Sequence, residues 1–517
     1  MRQFLAALTP AFLVGGCSLI YNPSNITKTD ARVVDNNVDA LIDVPIPKDA
    51  DPTMLTIDSV APSTIYEGAG DGHSRNALVV VHGHHMTQAA TAQIMGAANV
   101  SVVSQQVSAD GDWMAILVHA AVDTTAGTDA GTAALTVQVT EPGAPAPVML
   151  AGMLSLKNLP QLTLTNNQSI DVTMLAPLYS QVTGTGTVTF TGDSDHQAVI
   201  RSVSSIALGT LNLKGTAANG DSAGGAAVGG CGGGAVGATG GCSGFNGGGA
   251  GGGGAGGGGG GGNAAGAGGG NGTGAGGAGP AVGNAQVVNY VTDAAGTNRA
   301  GGGGGGGGGS GGIVGLKGGA GGGGGGIVEL DAGGDIAATI DASGGNGGNA
   351  SAGLAGGDAG GGGGGAGGVI VVRSQAGTVA VTATAKGGTA GTGVNSGGGG
   401  GAGAAGKIRI DTAGTTIPAT MPPTHRGPMF AMATSSVVTV GNPMLTVLGQ
   451  SGDSVDPYDI DVMGNDHNEG AALTFANGTL AAMPTLLAGY NKFCVTLEPG
   501  ARHGSLADTC IELAYLP

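Results

Sequence analysis

His82-Gly83-His84-His85 sets three imidazoles within four residues, and imidazoles this close can share a divalent metal ion. No Asp or Glu stands beside them to complete a shell, and they follow the apolar run Leu78-Val79-Val80-Val81. The sequence alone therefore puts them in a turn after a strand and predicts no metal there. A second candidate is the oxygen-rich stretch from Asp453 to Glu469. Hard oxygen donors suit calcium, and Asp459, Asp461, Asp466 and Glu469 are the candidate ligands. The order of an EF-hand is absent, because Gly470 stands where a bidentate glutamate would follow Asp459. The stretch reads first as a solvated loop between strands. Gly401-Ala402-Gly403-Ala404-Ala405-Gly406-Lys407 nearly spells a phosphate-binding loop, but Ile408 replaces the hydroxyl residue and the lysine opens a strand. Gly308-Gly309-Ser310-Gly311-Gly312 mimics a nucleophile elbow by composition alone. No catalytic residue and no cofactor is predicted.

The elements that must carry these residues are unusual in composition. With 114 glycines in 517 residues, 10% charged and 3% aromatic residues, the chain cannot be one conventional globule, since glycine buries no side chain and loses the most freedom on folding. Several modules are expected. The net charge of -17 argues against nucleic acid, which needs clustered Lys and Arg.

The first module is a leader. Arg2, a short apolar run and Leu13-Val14-Gly15-Gly16-Cys17 read as a secretory signal, too short to span a bilayer. The segment resembles a bacterial lipobox. The resemblance implies that residues 1–16 are removed, that Cys17 is lipidated, and that Ser18 after it directs the protein to the outer membrane. Its partner would then be a membrane, held through that lipid anchor. Residues 17–52 read as a polar tether. In an exported chain the remaining cysteines pair locally as two disulfides, Cys231 with Cys242 and Cys494 with Cys510.

Residues 53–143 hold short β-rich runs divided by Gly, Asn and Asp turns, at the spacing of a sandwich. Ile57-Asp58-Ser59-Val60-Ala61-Pro62-Ser63, the strand ending at Gly83 and Leu135-Thr136-Val137-Gln138-Val139-Thr140 resemble an IPT/TIG module, which implies an immunoglobulin-like fold. Residues 144–217 continue as strands and read as the start or cap of a repeat region at 218–414. There Ile327-Val328-Glu329-Leu330 recurs 43 residues later as Ile370-Val371-Val372-Arg373, and Lys407-Ile408-Arg409-Ile410 makes a third start. Such a period predicts stacked strand pairs, with glycine runs that are either surface loops or threefold polyglycine helices packed on one another. The composition resembles that of glycine-repeat surface proteins and glycine-rich phage adhesins.

Prolines mark a linker at 415–428, and residues 429–517 form a second β-domain. Leu487-Ala488-Gly489-Tyr490 there resembles the tyrosine corner of immunoglobulin-like sandwiches. The fold class expected is mostly β, with immunoglobulin-like sandwiches flanking a glycine-rich repeat region of β-solenoid or polyglycine type, and the second sandwich as a tip. The function expected is that of a non-enzymatic surface lipoprotein for adhesion, envelope structure or partner binding. The alternative is a β-solenoid that binds or cleaves polysaccharide. Its candidate charges, Glu329, Asp331, Asp335, Asp341, Arg373, Lys407 and Arg409, fall in no shared register at the 43-residue spacing.

Overall fold

Alternating apolar residues decide the first part of the computed structural model, which describes residues 54–123, 131–192, 196–240, 268–270, 317–352, 357–460, 466–497 and 508–517. Strands β1 (Thr56–Ala61), β2 (Thr64–Tyr66), β3 (Ala77–His84), β4 (Thr91–Met95), β5 (Val100–Val107), β6 (Trp113–Ala120), β7 (Thr132–Thr140) and β8 (Val148–Lys157) form two four-stranded sheets. Their orders are β1-β3-β6-β5 and β2-β8-β7-β4. Val79, Val81, Met114 and Ile116 of the first share a core with Leu135, Val137, Leu154 and Leu156 of the second. The second sheet runs past residue 143, because β8 pairs antiparallel with β7 from Thr132↔Lys157 to Val139↔Val148. Pro142, Pro145 and Pro147 lie in the connection between these two strands, where the missing amide donors cost no ladder bond, so the proline cluster is not a domain end.

Parallel pairing takes over next. Strands β9 (Leu162–Leu164), β10 (Gln168–Asp171), β11 (Val182–Gly184), β12 (Thr187–Thr191), β13 (Ala198–Ser202) and β14 (Ile206–Asn212) start it. Strands β15 (Ile327–Ala332), β16 (Ile336–Asp341), β17 (Val369–Ser374), β18 (Val379–Thr384) and β19 (Lys407–Thr412) extend it. One parallel sheet runs β13-β15-β17-β19; the other carries β9 to β12 around β14 and continues through β16 to β18. Ile200, Leu330, Val372 and Ile410 of the first meet Leu211, Ile340 and Ala383 of the second in a common core.

The register differs from the repeat read in the sequence. Ile327 opposes Val369, not Ile370, whereas Ile336 opposes Val379 at the expected spacing. The turn 375–378 is one residue longer than the turn 333–335, which absorbs the difference. Since side chains alternate, a slip of one residue exchanges the two faces of a strand.

The glycine stretches between these strands bond to one another through their backbones. Gly319, Gly322 and Gly325 donate to the carbonyls of Gly360, Gly363 and Ala366, each at 2.9 Å. Gly361, Gly364 and Gly367 donate in turn to Gly398, Gly401 and Ala404, again at 2.9 Å. A second layer repeats the step, with Gly344, Gly347 and Ala350 donating to Lys386, Thr389 and Thr392 at 2.8 to 2.9 Å. Bonds across the layers run Gly403 to Gly388, Gly388 to Gly365, Gly365 to Gly345 and Gly345 to Gly323, at 2.7 to 3.0 Å. A step of three residues is that of an extended threefold helix, which makes no internal hydrogen bonds and must find its partners in neighbouring segments.

The last strands are β20 (His425–Arg426), β21 (Met429–Phe430), β22 (Val437–Val438), β23 (Leu445–Leu448), β24 (Ser454–Ile460), β25 (Asp466–Asn468), β26 (Leu473–Thr474), β27 (Thr479–Ala482), β28 (Gly489–Thr496) and β29 (Thr509–Tyr515). β20 pairs with β19, and the rest form the sheets β21-β23-β27 and β22-β29-β28-β24-β25, with β26 on β24. Phe430, Val447, Phe475, Phe493 and Leu513 pack between them. Cys494 and Cys510 oppose each other on β28 and β29 and form the expected disulfide. Cys231 is buried, while Cys17 and Cys242 lie outside the described residues. Tyr490 is no corner residue: it sits within β28 opposite Ala514, and its hydroxyl bonds to Glu512.

This C-terminal part does not stand apart as a tip. Ala514 and Leu516 pack on Leu78, Val80 and Ala115, on the outer face of the first sheet. Arg75 donates to the Thr434 carbonyl at 2.9 Å, and the Ala109 amide donates to Pro517 at 2.9 Å. The reason lies in β3, whose run Leu78-Val79-Val80-Val81 is apolar on both faces and must be covered on both.

Candidate functional site

Beyond this seam the outer face of β3 turns polar. His82 and His84, two residues apart, project from the same face as Leu78 and Val80, while Gly83 faces inward. Asp58 arrives from β1 through a β-bulge: Ile57 opposes Gly83 and Ser59 opposes His82, so Asp58 is the inserted residue. Gly83 permits this approach, since a Cβ there would lie 2.1 Å from the Thr56 carbonyl oxygen. Asp58 Oδ2 is 3.3 Å from His82 Nδ1 and 3.3 Å from His84 Nε2. The other nitrogen of His84 lies 2.9 Å from Asp112 Oδ1. That hydrogen bond, opposed by some desolvation and helped by the charges of Asp112 and Asp58, raises the imidazole pKa. The His82 ring packs on Trp113 with centroids 4.4 Å apart. His85, at φ 63°, leaves the strand, and its ring centroid is 6.4 Å from that of His84. The carboxylate that the sequence lacked is thus supplied from a neighbouring strand, and the histidines end a strand rather than occupying a turn. Among the described residues this is the one convergence of three His, Cys, Asp or Glu ligand atoms.

The candidate calcium ligands are not gathered in this way. Asp459 is buried in β24 opposite His467, and Glu469 accepts the Thr485 amide at 3.0 Å. Asp461 and the side chain of Asp466 lie outside the described residues.

The charges of the repeat strands do share a register, contrary to the sequence reading. Arg201, Asp331, Arg373 and Asp411 form one rung across β13, β15, β17 and β19, and Glu329, Val371 and Arg409 form the rung beside it. Arg201 pairs with Glu329 at 3.1 Å. Arg409 grips Asp411 with Nε at 2.8 Å and Nη2 at 2.5 Å, and Arg373 Nε lies 3.2 Å from the same carboxylate. Burial raises the Asp331 carboxyl pKa, against the pull of Arg373 and Arg201. The rungs are covered: Arg373 donates to the Asp508 carbonyl at 2.6 Å, and Thr509 beside it donates to Pro428 at 2.7 Å. A sugar chain cannot reach these carboxylates while the C-terminal part is in place. Of the other charges named from the sequence, Asp335 caps the Thr378 amide at 2.7 Å and pairs with His73, Asp341 lies 3.6 Å from Lys214, and Lys407 opens β19 half-buried.

A buried amine lies in the C-terminal sheet, where Lys492 of β28 opposes Glu512 of β29. Burial lowers the Lys492 pKa to about 8 from 10.5, although Glu512 and Asp508 favour its charge. Between these values the unfolded chain holds the proton that the folded one has released, so this group makes stability rise with pH. Lys492→Met should remove that slope. In urea denaturation the stability of the parent relative to the variant should rise from pH 8 to 10.5, by on the order of 1–3 kcal/mol; a constant difference would contradict the burial of a charged amine.

No family model, no curated protein and no solved structure matches the chain. The functional reading rests on its own geometry.

Proposed function

We propose that the protein is a non-enzymatic, lipid-anchored surface scaffold of the outer membrane. In this reading a β-solenoid with a polyglycine-type bundle is a stiff platform that fixes two immunoglobulin-like sandwiches, the first of them IPT/TIG-like, for adhesion or for holding a polysaccharide or protein partner. The observation that carries it is the hydrogen bonding of the glycine segments at every third residue, in two directions, from residue 319 to residue 406. A tract bonded in this way supplies stiffness and reach, not a catalytic surface. The enclosure of Glu329, Asp331, Arg373, Arg409 and Asp411 supports the same reading over polysaccharide cleavage.

Two experiments test it. Hydrogen exchange followed by mass spectrometry should find amides 319–325, 360–368 and 385–406 protected far beyond an unstructured chain; exchange within seconds would remove the platform. Labelling with an alkynyl fatty acid should mark the parent protein in the outer membrane, whereas Cys17→Ala should be unlabelled and released on cell disruption. An unlabelled parent protein in the cytosol would end the surface reading.

A further inference from the structure

We propose that Asp58, His82 and His84 form a zinc-type divalent metal site at the margin of the seam between the first sandwich and the C-terminal sheet. The inference does not depend on the anchor or on the glycine platform. Its first support is distance. Zinc bonds of about 2.0–2.1 Å in tetrahedral array put neighbouring ligand atoms about 3.3 Å apart. Asp58 Oδ2 stands 3.3 Å from both His82 Nδ1 and His84 Nε2. A charge-assisted N–H···O bond would draw such atoms to about 2.7–2.9 Å, and the other side of the His84 ring shows that distance, 2.9 Å to Asp112.

The second support is orientation. With Nδ1 of His84 donating to Asp112, the neutral ring presents its Nε2 lone pair to the carboxylate of Asp58. Two lone pairs facing each other are relieved by a cation between them, either a proton on Nε2 or a metal ion, and the 3.3 Å separation is that of the metal. The His84–Asp112 bond is also the usual way in which a ligating imidazole is fixed through its other nitrogen. The third support is the backbone: the bulge in β1 spends one extra residue, and that residue is Asp58. Two imidazoles and one carboxylate suit zinc and its late first-row neighbours over magnesium or calcium.

The site is open. Asp58, His82 and His84 keep 43%, 30% and 48% of their side-chain surface exposed. Three protein ligands on a surface leave a fourth position for water or for a donor from a partner. The site also has a built-in reporter, because the His82 ring packs at a tilt against Trp113, the chain's one tryptophan, with centroids 4.4 Å apart. Trp113 in turn lies under Gly489 of β28, where a Cβ would come within 2.4 Å of the indole. Metal binding would therefore be felt at the seam.

The test is a titration of the untagged full chain in detergent with Zn²⁺, followed by calorimetry and by Trp113 emission, with Cu²⁺ as a quenching probe in a parallel run. One tight equivalent is expected, with an emission change that saturates at the same ratio. Asp58→Ala and His84→Ala should each weaken binding by about 100-fold or more, and Asp112→Ala by about 10- to 100-fold. His85→Ala should leave both signals unchanged. The substituted side chains are partly exposed, and circular dichroism checks that each variant stays folded. Absence of heat and of emission change at millimolar Zn²⁺ would overturn the site, as would equal binding by Asp58→Ala, His84→Ala and the parent.

Discussion

Gly388→Ala should cost upwards of about 3 kcal/mol of stability and cooperatively loosen the glycine-rich region. A Cβ at Gly388 would lie 1.9 Å from the Gly345 carbonyl oxygen, and one at Gly365 would lie 2.1 Å from that of Gly323. The opposing atom is backbone in both cases, so no rotamer change relieves the clash. The segments must part, and parting them breaks the cross-layer bonds through Gly345, Gly365 and Gly388. Buried amides left without partners add to the steric cost. Gly399→Ala is the control. Its Cβ would meet nothing nearer than the Gly391 oxygen at 3.7 Å, and alanine there restricts only the unfolded chain. That variant should match the parent or gain about 0.4–1 kcal/mol. Thermal and urea unfolding of the three proteins make the comparison. Equal stability for Gly388→Ala would show that the segments do not approach one another at all.

Composition makes this arrangement hard to see in the sequence. Where glycines run without a break, every period fits equally well, and position carries no information. The threefold step shows only where other residues interrupt it, as in Ser343-Gly344-Gly345-Asn346-Gly347-Gly348-Asn349, whose side chains fall on every third position. Asn346 and Asn349 use that face to accept the Thr389 and Thr392 amides of the next segment, both at 2.9 Å. The β-rich character was legible from alternation, and the pairing of Cys494 with Cys510 from spacing. The metal triad was not. Asp58 reaches the histidines only because β1 lies beside β3 and carries a bulge at that residue, and neither fact leaves a mark on the residues around His82. The seam did leave one: the unbroken apolar runs Leu78 to Val81 in β3 and Trp113 to Val118 in β6 announce neighbouring strands covered on both faces.

The register of β17 illustrates how little separates a legible site from an illegible one, and it sets up the second large effect. At a spacing of 43 residues Asp331 meets Ser374; in the structure it meets Arg373, and the scattered charges fall into rungs. Asp411→Ala should therefore destabilise the protein by about 3–5 kcal/mol, the usual cost of removing one member of a buried ion pair. The two guanidiniums it faces cannot shed their charge to compensate, since arginine stays protonated in proteins. Arg409, at 1% exposure, has no route to solvent without moving β19 or the C-terminal strands above it. Arg409→Met should be milder, because Asp411 keeps Arg373 at 3.2 Å. The double variant Arg409→Met with Asp411→Leu should recover much of the loss, since an apolar pair fills the same space without a desolvation penalty. Urea denaturation of the parent, Arg409→Met, Asp411→Leu and their double variant closes a double-mutant cycle, with a coupling of about 1–3 kcal/mol expected. Additive losses would mean that the two side chains do not act as a pair. A loss of under about 1 kcal/mol for Asp411→Ala would place the rung at a solvated surface, and with it would go the cover that keeps these carboxylates from external ligands.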